Sequence, residues 1–505
     1  MKEMINAARK YRETLLNDPH RPGYHFAIPE DNGIPGDPNG AFYADGVYHL
    51  MYLHKNSETN GFHWGHLTST DLLHWRRHKD ALTVQDGDEG CFSGGAFVDD
   101  DKTAYLTFWK FPAKTPGGDK GGIAMACARP PYEDWERMEP IAVESGAVWG
   151  AGDLELNGET VHLGCADPSN IWKMNGRYYM QLGNKVVLDT YGRDADSPQI
   201  YKGDWTELYR SDDLRHWEFV QRFYVNDFTD PTWPDVTEDD MCPSFLPLFD
   251  AKADGKPTGK WLQLFISHNK GCQYYVGELQ GETFVPEMHG RMSWNDNTFF
   301  APEAIVDDRN RHIMWVWLLD NLKNDFERFG WSGVYSFPRL LWWENNELHM
   351  APADELEQLQ YNHQELTGTT GALPVKNGTS FRLKASWENP ADGTGCRVRR
   401  SNDGSQYTDI FVDMAAGKLV MDAAHSGSEG RTIREEAPFV LRPEEKLELD
   451  IFVDGPVVEV YANQRQAICR RVYPDAPAEA TGVCLLGNAA PEQLDAWEIA
   501  PANPY

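Results

Sequence analysis

The sequence predicts an all-β protein: a five-bladed β-propeller followed by a C-terminal β-sandwich, with a short N-terminal helix. Three observations carry this prediction. A turn followed by an aromatic strand occurs five times, starting at Gly46, Thr103, Gly176, Gly259 and Arg311, at intervals of roughly 50 to 85 residues. Amphipathic helical patterns are few between the N-terminal segment and about residue 350, where short β-rich runs bounded by Gly, Asp, Asn and Pro dominate. From about residue 365 alternating strands return, as in 381–387, 409–413, 447–454 and 457–461, the pattern of a two-sheet sandwich.

The N-terminal extension, residues 1–21, begins with an amphipathic helical pattern and lacks the apolar core of a secretion signal. Eight scattered cysteines with no Cys-x-x-Cys pair fit reduced thiols, so a cytoplasmic location is expected. A secreted chain trimmed of its leader would carry the same residues. The same spacing excludes the familiar zinc sites, and no metal or cofactor is expected. Seventy-eight acidic against 47 basic residues leave a net charge of −31, which works against nucleic acid and anionic membranes as partners. No run of eighteen apolar residues is present to span a bilayer as a helix. Aromatic residues make up 12% of the chain, a surplus that suits a cleft where rings stack on a carbohydrate substrate.

Residues 22–350 form the predicted propeller. Gly36-Asp37-Pro38-Asn39-Gly40 precedes the first aromatic strand, and its glycines and proline can hold the Asp37 carboxylate in a fixed pose. An ordinary Asp-Pro-Asn-Gly turn would look the same, but the pattern returns. Asp167-Pro168 stands at the same interval before Gly176 and its aromatic strand. Ser93-Gly94-Gly95, Cys242-Pro243 and Ala301-Pro302-Glu303 occupy the corresponding places in the other repeats. These segments open the innermost strands, which line the central funnel of a propeller, so Asp37 and Asp167 should meet at one mouth. A second element, Ser-x-Asp-Leu-x-His-Trp, repeats at 69–75 and 211–217. A helical stretch at 351–364 reads as a linker, and 365–505 as the sandwich.

These motifs in this order resemble glycoside hydrolase family 32, the invertases, levanases, inulinases and related fructosyltransferases. The 36–40 segment resembles the family's Asn-Asp-Pro-Asn-Gly nucleophile motif, and His63-Trp64-Gly65-His66 its Trp-Gly-His element. Phe92-Ser93-Gly94-Gly95 resembles Phe-Ser-Gly-Ser, Asp167-Pro168 part of Arg-Asp-Pro, and Cys242-Pro243 part of Glu-Cys-Pro. Phe299-Phe300-Ala301-Pro302 and Pro338-Arg339 match further elements of the propeller, and 451–461 resembles the family's sandwich signature. The resemblance implies retaining hydrolysis of β-fructofuranosides or related furanosides. Asp37 would attack the anomeric carbon, and Asp167 would stabilise the oxocarbenium charge. Asn39, Trp64, Phe92 and Ser93 would bind substrate.

The chain departs from the family pattern at the acid. Met241 stands where the motif has Glu, Ala166 where it has Arg, Gly36 where it has Asn, and Leu53 where it has Gln. Losing a general acid removes about 10²–10⁴ in rate, so an active enzyme must supply one from elsewhere. Asp240 lies beside Met241, and Glu303 opens the fifth inner strand; both are candidates, with Asp240 favoured by proximity. Asp240 should point away from the face of Met241 unless a bulge turns it. Fructosyl transfer through the same nucleophile, and carbohydrate binding without catalysis, are the competing readings.

Overall fold

A computed structural model describes residues 1–28, 36–85, 88–112, 122–138, 151–156, 158–184, 205–224, 238–319, 331 and 333–502. Apart from the helix Lys2–Asn17 and a 3₁₀ turn at Asp354–Leu359, its regular elements are strands. The helix is exposed along most of its length and anchors through Leu15.

Five antiparallel units succeed one another along the chain. Blade 1 is built from Pro38–Ala44, Val47–Lys55, Phe62–Ser69 and Arg76–Arg77. Blade 2 comprises Ala96–Val98, Ala104–Pro112, Gly122–Ala128 and Glu136–Arg137. Asp88–Cys91 bridges the two, pairing in parallel through Phe62 and Gly90, so they share one nine-stranded sheet. Blade 3 contains Glu159–Pro168, Trp172–Met174, Arg177–Asn184, Glu207–Ser211 and Glu218–Arg222, with Ala151–Leu156 as an added hairpin strand. Blade 4 runs from Met241–Phe249 through Pro257–Ser267 and Gly271–Gln280 to Thr283–Arg291. Blade 5 runs from Phe299–Val306 through His312–Leu318 and Arg339–Glu344 to Glu347–Pro352.

Every seam between neighbouring blades carries a hydrogen bond. The Gly40 amide donates to Gly94 O at 3.2 Å between blades 1 and 2. Thr107 Oγ1 donates to Ser169 O at 2.8 Å between blades 2 and 3. The Asn170 side chain exchanges two bonds with the Phe245 backbone, at 2.8 and 3.0 Å, between blades 3 and 4. His312 Nδ1 lies 3.3 Å from Pro247 O between blades 4 and 5. The Ala41 amide donates to Glu303 Oε1 at 2.7 Å, closing blade 5 onto blade 1. Such closure leaves the inner strands only short edges, protected around the funnel.

Asp167-Pro168 closes one strand of blade 3 instead of opening the next, which starts at Trp172. Pro168 has no amide hydrogen; the Ser169 amide still donates to Gln181 O at 2.9 Å, and the Asn170 side chain is drawn to blade 4 before the ladder resumes at Trp172.

The C-terminal sheets face each other as a sandwich. One has the order Gln360–Glu365, Gln493–Ile499, Ser380–Trp387, Leu447–Asp454, Val457–Ala462, Gln466–Arg471. The other has the order Arg434–Pro438, Lys418–Asp422, Thr408–Asp413, Thr394–Arg400, Gly482–Leu486. Phe381, Leu383, Trp387, Ile410, Val412 and Leu449 are among the buried side chains between them. The edge strand Gln360–Glu365 comes from the stretch read as linker.

The sandwich also holds the propeller's first segment. Asp454 accepts the amides of Gly23, Tyr24 and His25 at 2.7–2.8 Å. Buried Arg339 of blade 5 donates to Glu459 Oε1 at 2.9 Å, and its guanidinium lies over the Phe299 ring.

Candidate active site

Four of the five inner strands, all but that of blade 2, carry a one-residue irregularity near their funnel ends. The pairing register advances by one between Asn39 and Phe42, between Cys165 and Pro168, between Met241 and Ser244, and between Phe300 and Pro302. A bulge of this kind bends the strand and turns an extra side chain out of strict alternation. Gly40, Cys242 and Ala301 take positive φ values of 51°, 49° and 52° at these bulges. At Gly40 a Cβ would also come within 2.7 Å of the Trp64 ring, so glycine is required twice over.

The bulges bring Asp37 and Asp167 together. Pro38 pairs with Tyr52 and Pro168 with Leu182, which sets the two aspartates at matching places in blades 1 and 3. Both are 7% exposed. Cys242 of blade 4 sits between them: its Sγ is 3.9 Å from Asp37 Oδ2 and 3.5 Å from Asp167 Oδ2. Its amide donates to the same Asp167 oxygen at 3.1 Å. Ser93 Oγ donates to Asp37 Oδ2 at 2.6 Å. Asp37 Oδ1 is buried and has no hydrogen-bond partner among the described residues. The carboxylate is therefore held by one oxygen and bare at the other.

Burial shapes the electrostatics. It pushes the Asp37 carboxyl up to about 6, against the opposing pull of the Ser93 bond and the His268 charge. Asp167 is pushed to about 7, by burial first and by the charge of Asp37 second. The Cys242 thiol is raised well above its ordinary value by burial and by both carboxylates, so it remains a neutral donor.

The remaining expected site residues fall into separate places. Asn39 is buried and spent on backbone, donating to Asp37 O at 3.1 Å and accepting from the Gly94 amide at 3.3 Å. Trp64 is fully buried behind Gly40, in a cluster with Leu106 and Phe108, so its indole is a wall behind the Asp37 turn. Phe92 is half-buried against Phe62 and Trp109. Asp240 accepts from Tyr224 Oη at 2.8 Å and is fully buried. The backbone already departs from a regular strand at Asp240, whose φ is +50°, and its Oδ1 is turned to Tyr224. Glu303 is buried on the Ala41 amide, and burial raises its carboxyl well above the ordinary range. Met241 itself packs in the core beside Ala166.

The sequence places Cys242 at the opening of the fourth inner strand without giving its thiol a role, and nothing in it singles out His268. The available signal for His268 is positional: it follows the end of the aromatic strand of the fourth repeat. His268 Nδ1 is 2.9 Å from Asp239 Oδ2.

A group able to hold a metal ion is present in blade 1. His54 Nε2 and His63 Nδ1 lie 3.3 and 3.0 Å from Asp80 Oδ2, and Arg77 donates to the other Asp80 oxygen at 2.9 Å. With the guanidinium there, the cluster is already charge-compensated. A cavity of about 420 Å³ between propeller and sandwich, lined by Arg382, Asp450 and Asn463, does not include the paired carboxylates.

The model of the glycosyl hydrolases family 32 N-terminal domain matches residues 25–352, and that of the family's C-terminal domain matches 352–498. The chain is 24% identical to a sucrose-6-phosphate hydrolase of Zymomonas mobilis, covering 99% of this chain and 96% of that protein. It is 26% identical to a raffinose invertase of Escherichia coli, covering 94% and 95% respectively. Among solved structures, fructan 1-exohydrolase IIa from Cichorium intybus superposes with a TM-score of 0.77 at 20% identity, over 96% of this chain and 98% of that one. That likeness shows the same fold. With family models matched across nearly the whole chain, the protein belongs to glycosyl hydrolases family 32 and is a glycoside hydrolase of the β-fructofuranosidase type.

Proposed function

We infer that the protein cleaves β-fructofuranosides by double displacement, with Asp37 as nucleophile and Asp167 as the stabiliser of the charged sugar. The observation that carries this is the state of Asp37. One oxygen is held by Ser93, and the other is buried and bare at the mouth shared with Asp167. A fixed, desolvated carboxylate oxygen needs little reorganisation to attack an anomeric carbon. Asp167, fixed by the Cys242 amide, supplies negative charge where the oxocarbenium ion develops.

Sucrose, sucrose 6-phosphate, raffinose and levan are the first substrates to test, from the names of the relatives. In this reading Ser93 and Asn39 serve by holding Asp37 and its turn, and half-buried Phe92 offers a ring at the rim. Asp240 and Glu303 brace the walls through Tyr224 and Ala41.

The test is product analysis with the four sugars, together with mass spectrometry of the quenched reaction. Free fructose and a fructosyl adduct on Asp37 are expected. Turnover without any adduct, and undiminished in Asp37→Asn, would overturn the nucleophile assignment. Transfer products without free fructose would place the chain with the fructosyltransferases.

A further inference from the structure

We propose that His268, oriented by Asp239, donates and recovers the proton of this reaction in place of the carboxyl that Met241 lacks. The inference rests on the fructosidase reading above.

The dyad stands where such a group is needed. Met241 pairs with Ile266 across the inner hairpin of blade 4, and two residues before Met241, Asp239 meets Ser267 and His268. The Asp239 amide donates to Ser267 Oγ at 3.2 Å, while Asp239 Oδ2 receives the His268 amide at 3.3 Å and lies 2.9 Å from Nδ1. Asp239 is buried, with its side chain 2% exposed, whereas the His268 side chain is 44% exposed. A buried carboxylate thus holds a ring that solvent and substrate can reach. Binding at Nδ1 sets the tautomer and leaves Nε2 as the exchangeable position.

Contacts on the opposite side join His268 to the segment that opens blade 5. Asn297 Nδ2 donates to His268 O at 2.6 Å, and the His268 ring meets the Phe300 ring edge-on at 5.7 Å. Phe300 immediately precedes the blade 5 bulge. The charge of His268 acts on both Asp37 and Asp167. Burial lowers the imidazole's proton affinity, but the Asp239 bond and the charges of Asp239, Asp167 and Asp37 together raise it above the ordinary value.

The other nearby carboxyls are engaged. Glu238 is buried against Ser267, Lys270 and Gln273. Asp240 is engaged by Tyr224 and Glu303 by Ala41.

The step balances. As Asp37 Oδ1 bonds to the anomeric carbon, the bond to the leaving oxygen breaks, and that oxygen takes the proton from His268 Nε2. In the second half, neutral His268 takes a proton from water as the water oxygen displaces Asp37. Asp37 leaves as a carboxylate and His268 is again an imidazolium.

The test compares His268→Gln with the wild type on sucrose and on 4-nitrophenyl β-fructofuranoside, whose leaving group needs little protonation. We expect a loss of about 10²–10⁴ on sucrose and a much smaller one on the nitrophenyl substrate. On the nitrophenyl substrate azide should restore activity and yield fructosyl azide. Asp239→Asn should move the basic limb of the kcat profile to lower pH, the signature of a positioning residue. Matching circular dichroism and melting curves establish that both variants fold. Equal losses on the two substrates, or no loss on either, would overturn the assignment of His268. Wild-type protein inert on both would instead remove the fructosidase reading, and this proposal with it.

Discussion

Glu303 Oε1 accepts the Ala41 amide at 2.7 Å, joining the last blade to the first just beyond the Asp37 turn. Removing the acceptor orphans a buried N–H at the bulge that shapes the nucleophile strand. Glu303→Ala should therefore cost about 1–3 kcal/mol and lower kcat. Glu303→Gln keeps an acceptor and should retain both stability and most activity on sucrose. Thermal melts and steady-state kinetics on the two variants decide it: an inactive but stable Glu303→Gln would return Glu303 to the role of acid.

Asp37→Asn should abolish fructose release while raising stability above neutral pH. The Asp37 carboxyl is raised from 3.8 to about 6 by burial, so the folded state binds more protons than the unfolded chain between those values. Stability is fullest below pH 3.8 on this account and is lost as pH rises through about 6. At pH 8 the neutral amide should recover up to roughly 3 kcal/mol, at about 1.4 kcal/mol per pH unit. Melts of wild type and variant at pH 5 and pH 8 test the sign; a Tm gain that does not grow with pH contradicts it.

Activity should fall on the acid side earlier than for an ordinary carboxylate. Asp37 must be ionised to attack, and it titrates near 6, with Asp167 near 7. The acid limb of kcat/KM should lie between those values, with a tenfold loss per unit below it. A limb near pH 4 would mean that both carboxylates are better solvated than they are in this fold.

Propeller and sandwich should unfold together. Glu459→Gln leaves the Arg339 guanidinium buried without a counter-charge, a change that costs about 3–5 kcal/mol. Asp454→Ala removes the acceptor for the Gly23, Tyr24 and His25 amides. Both variants should lower a single calorimetric transition. Two separated transitions, with only the sandwich shifted, would show that the propeller does not depend on this contact.

Much of this molecule was legible in its sequence because blades and sandwich strands are local. Each needs only a hydrophobic alternation and a turn, so the fivefold aromatic strands and the alternating tail were sufficient. The pairing of Asp37 with Asp167 was also legible, since the repeat places both just before a proline at the start of an aromatic hairpin. The proton donor's surroundings depended on tertiary structure. Asp240 and Glu303 are equally acidic on paper, but Asp240 is held by Tyr224, and ring closure brings Glu303 to Ala41. Cys242 reaches both aspartates only because blades 1, 3 and 4 converge on one axis. Local pattern determines which strands form. Which side chains share a funnel is decided by long-range seams and one-residue register shifts, and no periodicity in the chain encodes those.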